Sequence, residues 1–477
     1  MKFKHLKICV SLVILLMNAL NSSAQIKLPN VIGNNMVLQS NQVVPIWGSA
    51  SPKSTITVKF KDQEKEAKTD GKGYWKVNLS AMAPSSLPAE MLITSDKDSS
   101  LRLSNILIGE VWLCSGQSNM RYRMKSEYQK PLKTADSLEL ELSINEPQIR
   151  LLLTKKKIGA SDIDTSGWEL AEGEALSKFS AIGYFFAKNL HRKLNVPIGI
   201  ICSAVNGTQI EPWTPASAYE NSTLFKDKIE NNIINGVEAG SLYENMIKPL
   251  APFAIKGFLW YQGESNAMTN DTLYADKMKT LIHSWRERWE NPELSFYYVT
   301  LAPFNYTRRK DKVAHTVETL PIIWEAQTAA LSIPKTEMIP TSDLIDKLND
   351  IHPPYKWEIG RRLSNVALAK QYGYSNLEFT GPRFKEMKLA GKDLVVSFSH
   401  SDGLKSSDGK AIRWLEVAGS DGVFKTANGI IKNNKLVVSS PDIVKPMQLR
   451  MGWYESAQPN LVNNAGLPVT IFRASVD

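Results

Sequence analysis

The spacing of hydrophobic and polar residues divides the chain into three regions. In residues 25–108, apolar and polar positions alternate over short runs, which is typical of β-strands with one buried face. The predicted strands of this region cover residues 43–47, 55–60 and 74–79, with a turn at 70–73. Closely spaced strands of this kind predict a small β-sandwich.

In residues 109–375, apolar runs that predict strands alternate with segments of helical periodicity. The predicted strands cover residues 106–114, 196–205, 257–261, 294–301 and 338–344. The predicted helices cover residues 181–194, 274–290, 320–331 and 356–372. This alternation predicts an α/β fold with a parallel sheet flanked by helices, in which ligands bind at the carboxyl ends of the strands. Residues 376–477 return to short strand-like runs and predict a C-terminal β-rich region, with strands at 394–399, 436–439 and 469–473.

The first 24 residues have the pattern of an export signal. Three lysines precede an apolar stretch at residues 8–20, and Ser22, Ser23 and Ala24 place small residues at a cleavage position. The apolar stretch is shorter than the ~20 residues that a transmembrane helix needs. We therefore expect a signal peptide over residues 1–24, no stable membrane span, and a mature protein that is periplasmic or secreted.

Composition narrows the possible functions. Of 477 residues, 43% are hydrophobic and 22% are charged, which is ordinary for a soluble globular protein. The net charge is +9, but the dense basic runs are short and cover only residues 155–157 and 308–310. We therefore expect no nucleic-acid partner. Beyond the predicted signal, Cys114 and Cys202 lie in apolar stretches without a CxxC pair, which favours two buried free thiols and no metal site. The sequence implies no cofactor and does not indicate an oligomeric state.

A serine and a histidine stand where catalytic residues are expected. Ser118 follows the strand predicted at 106–114, in the segment Gly-Gln-Ser-Asn-Met, which is not the G-x-S-x-G elbow because Met120 replaces the second glycine. A serine nucleophile needs a base. His352 lies in the loop between the last predicted parallel strand and the last helix, with Asp350 two residues before it and Asp343 nearby. On spacing alone, a plain helix cap at Ser118 and other roles for His352 stay open.

Three motifs resemble those of one family. They are Gly-Gln-Ser-Asn-Met at residues 116–120, Trp-Tyr-Gln-Gly-Glu-Ser-Asn at 260–266 and Asp-Ile-His-Pro at 350–353. Together with flanking segments at 35–39, 44–48 and 460–468, they resemble the sialate O-acetylesterase family. That family belongs to the SGNH hydrolases and includes carbohydrate acetylesterases that act on acetylated xylan. The resemblance covers almost all of residues 25–477 and implies an SGNH-type catalytic domain over residues 109–375, between β-rich domains over 25–108 and 376–477.

The resemblance implies roles for matching positions. Ser118 corresponds to the nucleophile and His352 to the base, while the backbone N–H of Gly207 corresponds to an oxyanion-hole donor beside that of Ser118. Gln262 and Asn266 are alternatives for a side-chain donor. For the acid, the superfamily position three residues before the histidine is Asn349, so Asp350 is favoured, with Asp343 or a backbone carbonyl as alternatives.

Three further residues are candidates for substrate binding. They are Gln117, Trp213 and Glu264, although Trp213 could equally pack in the core and Glu264 could support the site. In the family, an arginine usually precedes the segment Glu-Ala-Gln, whereas this chain has Trp324 there.

The resemblance therefore implies a serine esterase that removes O-acetyl groups from a carbohydrate, with sialic acid as the expected substrate. The alternatives are an esterase for acetylxylan or another plant polysaccharide, and a non-catalytic carbohydrate-binding protein on an esterase fold.

Overall fold

A computed structural model describes residues 25–125, 146–157, 159–310 and 312–476 of the chain. The predicted signal peptide lies outside the described residues. The described part confirms the predicted fold class, because a parallel sheet flanked by helices lies between two β-rich regions.

The N-terminal region consists of short strands with alternating burial. The strands are β1 (Val37–Gln39), β2 (Val44–Ser49), β3 (Thr55–Phe60), β4 (Gln63–Lys68), β5 (Tyr74–Leu79) and β6 (Ser85–Ser95). In β5 the buried positions are Trp75, Val77 and Leu79, as the alternating pattern predicts. β2 pairs with β5, whereas β3, β4 and β6 form a separate antiparallel group. Their buried side chains belong to the same continuous core as those of the central sheet.

One long strand, β7 (Leu101–Gly116), joins the N-terminal region to the central sheet. Its first half pairs with β6, and its second half pairs with two strands of the parallel sheet. The domain boundary that we placed between residues 108 and 109 therefore falls within a single strand. Before it reaches Ser118, β7 is therefore hydrogen-bonded to strands of both the N-terminal region and the central sheet.

The central sheet has the strand order β16-β15-β14-β7-β10-β8-β9. Besides β7, its strands are β8 (Glu146–Lys155), β9 (Asp164–Ala171), β10 (Ile198–Ala204), β14 (Gly257–Tyr261), β15 (Ser295–Val299) and β16 (Thr336–Ile339). The chain segment that connects β10 to β14 contains a small separate antiparallel sheet of β11 (Ile229–Glu230), β12 (Ile233–Ile234) and β13 (Val237–Glu238). All neighbours in the central sheet are parallel except β8 and β9, which are antiparallel. The sequence analysis did not predict β8 or the edge strand β9.

The helices follow the predicted pattern closely. They are α1 (Ser118–Arg121), α2 (Gly173–Lys178), α3 (Ala181–Leu194), α4 (Ala216–Glu220), α5 (Glu264–Ala267), α6 (Tyr274–Arg288), α7 (Thr319–Ala329) and α8 (Lys356–Gln371). α3 begins where the Ser180 hydroxyl accepts a hydrogen bond from the Gly183 N–H and ends at Asn195, which has a left-handed backbone. None of the helices in the described ranges is long and apolar enough to cross a membrane.

The C-terminal region is antiparallel and has its own core. Its strands are β17 (Arg383–Ala390), β18 (Asp393–Ser399), β19 (Lys405–Ser406), β20 (Leu415–Ala418), β21 (Lys425–Thr426), β22 (Asn428–Lys432), β23 (Lys435–Ser439), β24 (Gln448–Met451), β25 (Leu461–Val462) and β26 (Phe472–Ser475). They form two four-stranded sheets and one two-stranded ribbon around a second hydrophobic cluster. Cys114 and Cys202 are buried free thiols in the central sheet, as predicted.

Candidate active site

A sharp turn at the end of β7 presents Ser118. Gly116 has φ of +134°, and a Cβ there would lie 2.1 Å from the carbonyl oxygen of Tyr261, so only glycine fits. The next backbone N–H, of Gln117, donates to that carbonyl at 3.0 Å. Helix α1 then begins at Ser118. The first N–H groups of a helix have no intrahelical partner, so the N–H of Ser118 remains available to a ligand.

The structure brings Ser118 and His352 together. His352 lies in the loop between β16 and α8, and its Nε2 is 2.8 Å from the Ser118 Oγ, although the two residues are 234 positions apart. Ser118 is 8% exposed, so the pair lies just below the surface, where a small ester can reach it. This hydrogen bond is the geometry that a histidine base needs to take a proton from a serine hydroxyl.

The two aspartates considered for the acid have different contacts. Oδ1 of Asp350 accepts a hydrogen bond from the backbone N–H of His352 at 3.1 Å, so this carboxylate holds the histidine loop. Asp343 directs its two carboxylate oxygens to the guanidinium of Arg362, at 2.8 and 2.5 Å. This ion pair engages both carboxylate oxygens of Asp343, and the assignment of Asp350 as the acid stays a prediction.

Gly207 lies beyond the carboxyl end of β10, the strand that pairs with β7. β10 pairs with β7 so that Ala204 is opposite Gly116, and Gly207 follows three residues later with φ of +68°. Gly207 is exposed, and its backbone N–H donates to no group in the described part of the chain. The N–H of Gly207 is therefore available to a ligand, and its oxyanion-hole role stays a prediction.

The two predicted side-chain donors, Gln262 and Asn266, are fully buried and already engaged. The Gln262 amide nitrogen contacts three oxygen acceptors, at 2.7 to 3.2 Å, and the Asn266 amide nitrogen donates to Glu211 and Asp271. Both side chains are 0% exposed. The oxyanion-hole assignment of Gln262 and Asn266 therefore has to be corrected: these amides join the loops of the site instead of facing the substrate.

Gln117 is the side-chain amide that remains beside Ser118. Its Oε1 accepts hydrogen bonds from the Gln262 amide at 3.2 Å and from the backbone N–H groups of Gly263 and Ser265 at 3.4 and 3.3 Å. These donors fix the side chain by its oxygen. Its amide nitrogen donates to no acceptor among the residues that the structure describes, so Gln117 has a fixed donor to offer a bound ester.

The structure contains a buried ionic cluster that the sequence analysis missed. The Lys277 ammonium is 2.6 Å from a Glu211 oxygen and 2.7 Å from an Asp271 oxygen, and all three side chains are at most 4% exposed. Asn266 donates to both carboxylates and accepts from the backbone N–H of Ile210 at 3.0 Å. The cluster therefore anchors the segment that follows Gly207.

The predicted substrate contacts of Trp213 and Glu264 also have to be corrected. Trp213 is 0% exposed, and its indole N–H donates to the Thr208 hydroxyl at 3.0 Å, so it packs in the core and cannot stack on a sugar. Glu264 is 3% exposed and accepts a hydrogen bond from the Asn119 amide. Both residues support the site from inside the protein.

A second buried cluster, also missed from sequence, surrounds Asn119. The Lys356 ammonium donates to the Asn119 Oδ1 at 2.5 Å, and Lys356 is 0% exposed. Burial lowers the pKa of Lys356 to about 7, against the opposing influence of Glu264 and Asp350. Burial likewise raises the pKa of Glu264 above its ordinary value, although the hydrogen bond from Asn119 opposes that shift.

One signal for Lys356 was present in the sequence. Lys356, Ile359, Gly360 and Leu363 have the spacing of a single helix face, and all four are buried. A lysine on the apolar face of an amphipathic helix is therefore a candidate for a buried charge.

A cationic cavity includes the last residue of helix α1, the helix that begins at Ser118. Its volume is about 300 Å³, and its lining includes the four cationic side chains Arg121, Arg123, Lys155 and Lys156. Arg121 ends the helix that begins at Ser118, and the lining also includes Ala204, Val205 and Asn206, which lead to Gly207. The cavity therefore begins within one helical turn of the serine and could hold an anionic group of a bound ligand.

Comparisons with known proteins found similar sequences and a similar crystal structure. Residues 108–369 match the family model described as carbohydrate esterase, sialic acid-specific acetylesterase. The chain is 30% identical to the human sialate O-acetylesterase over 404 residues, which cover 77% of this chain and 75% of that protein. It is 26% identical to the mouse sialate O-acetylesterase over 455 residues, which cover 83% of each. The crystal structure of a carbohydrate acetylesterase from Xanthomonas citri has a TM-score of 0.83 and 30% identity, covering 95% of this chain and all of that one.

Proposed function

Because this chain belongs to the sialic acid-specific acetylesterase family of carbohydrate esterases, we propose that it is a serine esterase that removes O-acetyl groups from sialic acid. The observation that carries the proposal is the 2.8 Å hydrogen bond between the Ser118 hydroxyl and the His352 imidazole. It supplies a nucleophile with its base at the carboxyl edge of the sheet, where ligands bind in this fold class.

The proposed reaction has two steps. His352 accepts the hydroxyl proton of Ser118 as the serine oxygen attacks the acetyl carbonyl, and the same imidazolium then protonates the departing sugar oxygen. Water, deprotonated by His352, attacks the acetyl-serine, which releases acetate and restores the hydroxyl. Asp350 holds the loop of the base through its hydrogen bond to the His352 backbone.

The negative charge that forms on the carbonyl oxygen needs fixed donors. The backbone N–H groups of Ser118 and Gly207 supply two of them, and the amide nitrogen of Gln117 supplies the third in place of Gln262 or Asn266. Each such donor contributes about 3 kcal/mol to stabilisation of the transition state. Gln117 suits this role because three donors already hold its oxygen, so its nitrogen needs no reorganisation when charge develops.

The cationic cavity favours an acidic sugar over a neutral one. Sialic acid carries a carboxylate, and four cationic side chains line the cavity beside the nucleophile helix. Trp324 replaces the arginine that is usual before Glu-Ala-Gln in the family, and it is buried with its indole N–H donating to the Leu301 carbonyl at 2.7 Å. Recognition of a carboxylate in this chain therefore falls to the cavity formed by Arg121, Arg123, Lys155 and Lys156.

We also propose that residues 1–24 direct export and that the mature enzyme acts in the periplasm or outside the cell. The basic start, apolar stretch and small residues before Gln25 support this proposal. Detection of a mature N-terminus at Gln25 by mass spectrometry would support cleavage, and an intact Met1 on the exported protein would contradict it.

The experiment that tests the substrate compares acetate release from O-acetylated sialic acid and from acetylated xylan. The double variant Lys155→Met/Lys156→Met should raise KM for the sialic acid substrate about fivefold, as expected for losing partly exposed ion pairs. Turnover of p-nitrophenyl acetate, which has no carboxylate, should not change. Lys157→Met is the matched control, because Lys157 is the next residue but does not line the cavity.

Each outcome separates the alternatives. Faster release from xylan, with no effect of the double variant, would replace the sialic acid proposal with a neutral polysaccharide esterase. No hydrolysis of O-acetylated sialic acid, acetylated xylan or p-nitrophenyl acetate would point to a carbohydrate-binding protein.

A further inference from the structure

Asn119 connects the nucleophile turn to the histidine loop. It follows Ser118 directly. Its amide nitrogen donates to the carbonyl of Ile351, the residue directly before His352, at 3.0 Å. A single side chain therefore links the two residues adjacent to the catalytic pair. The same amide nitrogen also donates to Glu264 Oε1, and Lys356 donates to the amide oxygen at 2.5 Å.

The partners of Asn119 allow only one orientation of its amide. Two acceptors, a carboxylate and a carbonyl, face the nitrogen, and a donor, the Lys356 ammonium, faces the oxygen. A flipped amide would set oxygen against oxygen and nitrogen against ammonium. The side chain is 1% exposed, so water cannot substitute for a lost partner.

We propose that Asn119, Glu264 and Lys356 form a positioning clamp that holds the Ser118 hydroxyl and the His352 imidazole at reacting distance. The clamp does not touch the substrate and acts through the Ile351 carbonyl and the nucleophile turn. It rests on the proposed catalytic role of the Ser118–His352 pair, but it does not depend on which sugar carries the acetyl group.

The burial of the two charged members supports a functional role. Glu264 is 3% exposed, and within the described residues its Oε2 has no hydrogen-bond partner, which is an unfavourable state for a carboxylate. Lys356 is compensated in part by the rings of Tyr122 and Tyr261, whose centres lie 4.9 and 5.6 Å from its ammonium. Apolar side chains would fill this space at lower cost. The arrangement is therefore better explained by the orientation that it imposes on Asn119 than by stability.

The test is the isosteric variant Asn119→Asp. It keeps the size of the side chain but replaces the donor nitrogen with an oxygen that faces Glu264 and the Ile351 carbonyl. We expect kcat for p-nitrophenyl acetate to fall roughly 100-fold, with KM changed by less than about twofold, because misplacement of the reacting groups affects the chemical step. The rate at which a fluorophosphonate labels Ser118 should fall by the same factor.

The matched control is Asn463→Asp in the C-terminal region. Asn463 is also 1% exposed, and its amide nitrogen donates to two carbonyls, of Thr380 and His400, at 2.9 and 3.1 Å. This variant should lose thermal stability and keep the wild-type kcat. A folded Asn119→Asp protein with wild-type kcat and labelling rate would overturn the clamp.

A second pair of variants decides the question if Asn119→Asp does not fold. Glu264→Gln keeps an oxygen acceptor for Asn119, whereas Glu264→Leu removes it, so the clamp predicts that only the glutamine variant retains most of the wild-type kcat. Equal activity of the two would overturn the proposal. Ser118→Ala distinguishes failure of the clamp from failure of the proposed function. Hydrolysis by that variant would contradict the catalytic role of the Ser118–His352 pair itself and not only the clamp.

Discussion

Replacement of Lys277 by methionine should strongly destabilise the protein. Methionine has a similar length and fits the buried site, so the main change is the loss of the charge. The ammonium of Lys277 contacts Glu211 at 2.6 Å and Asp271 at 2.7 Å, and the three side chains are 0%, 1% and 4% exposed. Without the lysine, two buried carboxylates face each other with the Asn266 amide as their shared donor.

The expected loss follows from this burial. Removing one partner of a buried ion pair typically lowers the free energy of unfolding by about 3–5 kcal/mol, since the remaining charge is uncompensated. Two carboxylates are affected here, so the upper part of that range applies. Because Asn266 also holds the backbone of Ile210, we expect the loop that carries Gly207 to loosen and kcat to fall as well.

Urea denaturation followed by circular dichroism measures the effect, with Lys248→Met as the control. Lys248 pairs with Glu244 at 2.6 Å, but the two side chains are 47% and 51% exposed, so this variant should lose no more than about 0.5 kcal/mol. The triple variant Lys277→Met/Glu211→Gln/Asp271→Asn should recover part of the stability, because no buried charge remains. A Lys277→Met protein as stable as the Lys248→Met protein would refute the reasoning.

Two further predictions concern single positions near Ser118. Gln117→Glu keeps an oxygen for the donors of Gly263 and Ser265 but removes the amide donor, so kcat for p-nitrophenyl acetate should fall about 10²–10³-fold, and an unchanged kcat would exclude Gln117 from the oxyanion hole. Glu264 has a folded-state pKa raised by burial, so the folded protein binds more protons than the unfolded chain between the ordinary glutamate pKa and the raised one. Wild-type stability should therefore decline relative to Glu264→Gln as the pH rises through that window and stay lower above it. Urea titrations from pH 4 to pH 8 test this, and a wild-type stability that stays constant or rises relative to Glu264→Gln as the pH increases would contradict it.

Most of the fold was predictable because the central strands and helices have unambiguous periodicity. Helix α3 begins and ends at the predicted residues, 181 and 194, and β14 matches the prediction at residues 257–261. Strand β8 and the edge strand β9 were missed. β9 contains Asp164, Gly167 and Glu169 among its eight residues, and such a polar strand gives no clear alternation in the sequence.

The candidate site was predictable where a motif fixes a residue and not where a contact decides its role. Ser118 and His352 were found from their motifs. The parallel topology brings the ends of β7 and β16 to the same sheet edge, and the two side chains lie 2.8 Å apart there. Gln262 and Asn266 stand in the right motif, yet both amides point into the protein, a direction that the sequence does not encode locally. Asn119 and Lys356 are polar residues that meet only when the segments around residues 119, 264 and 351–356 come together. Their roles therefore became visible only in the folded chain.

The most direct measurement of the central claim is the site of covalent labelling by a fluorophosphonate, mapped by peptide mass spectrometry. The account predicts one adduct, on Ser118, that forms at least about 100-fold more slowly in His352→Ala, because the hydroxyl then lacks its base. Labelling at another residue, or a rate in His352→Ala equal to that of the wild type, would contradict it.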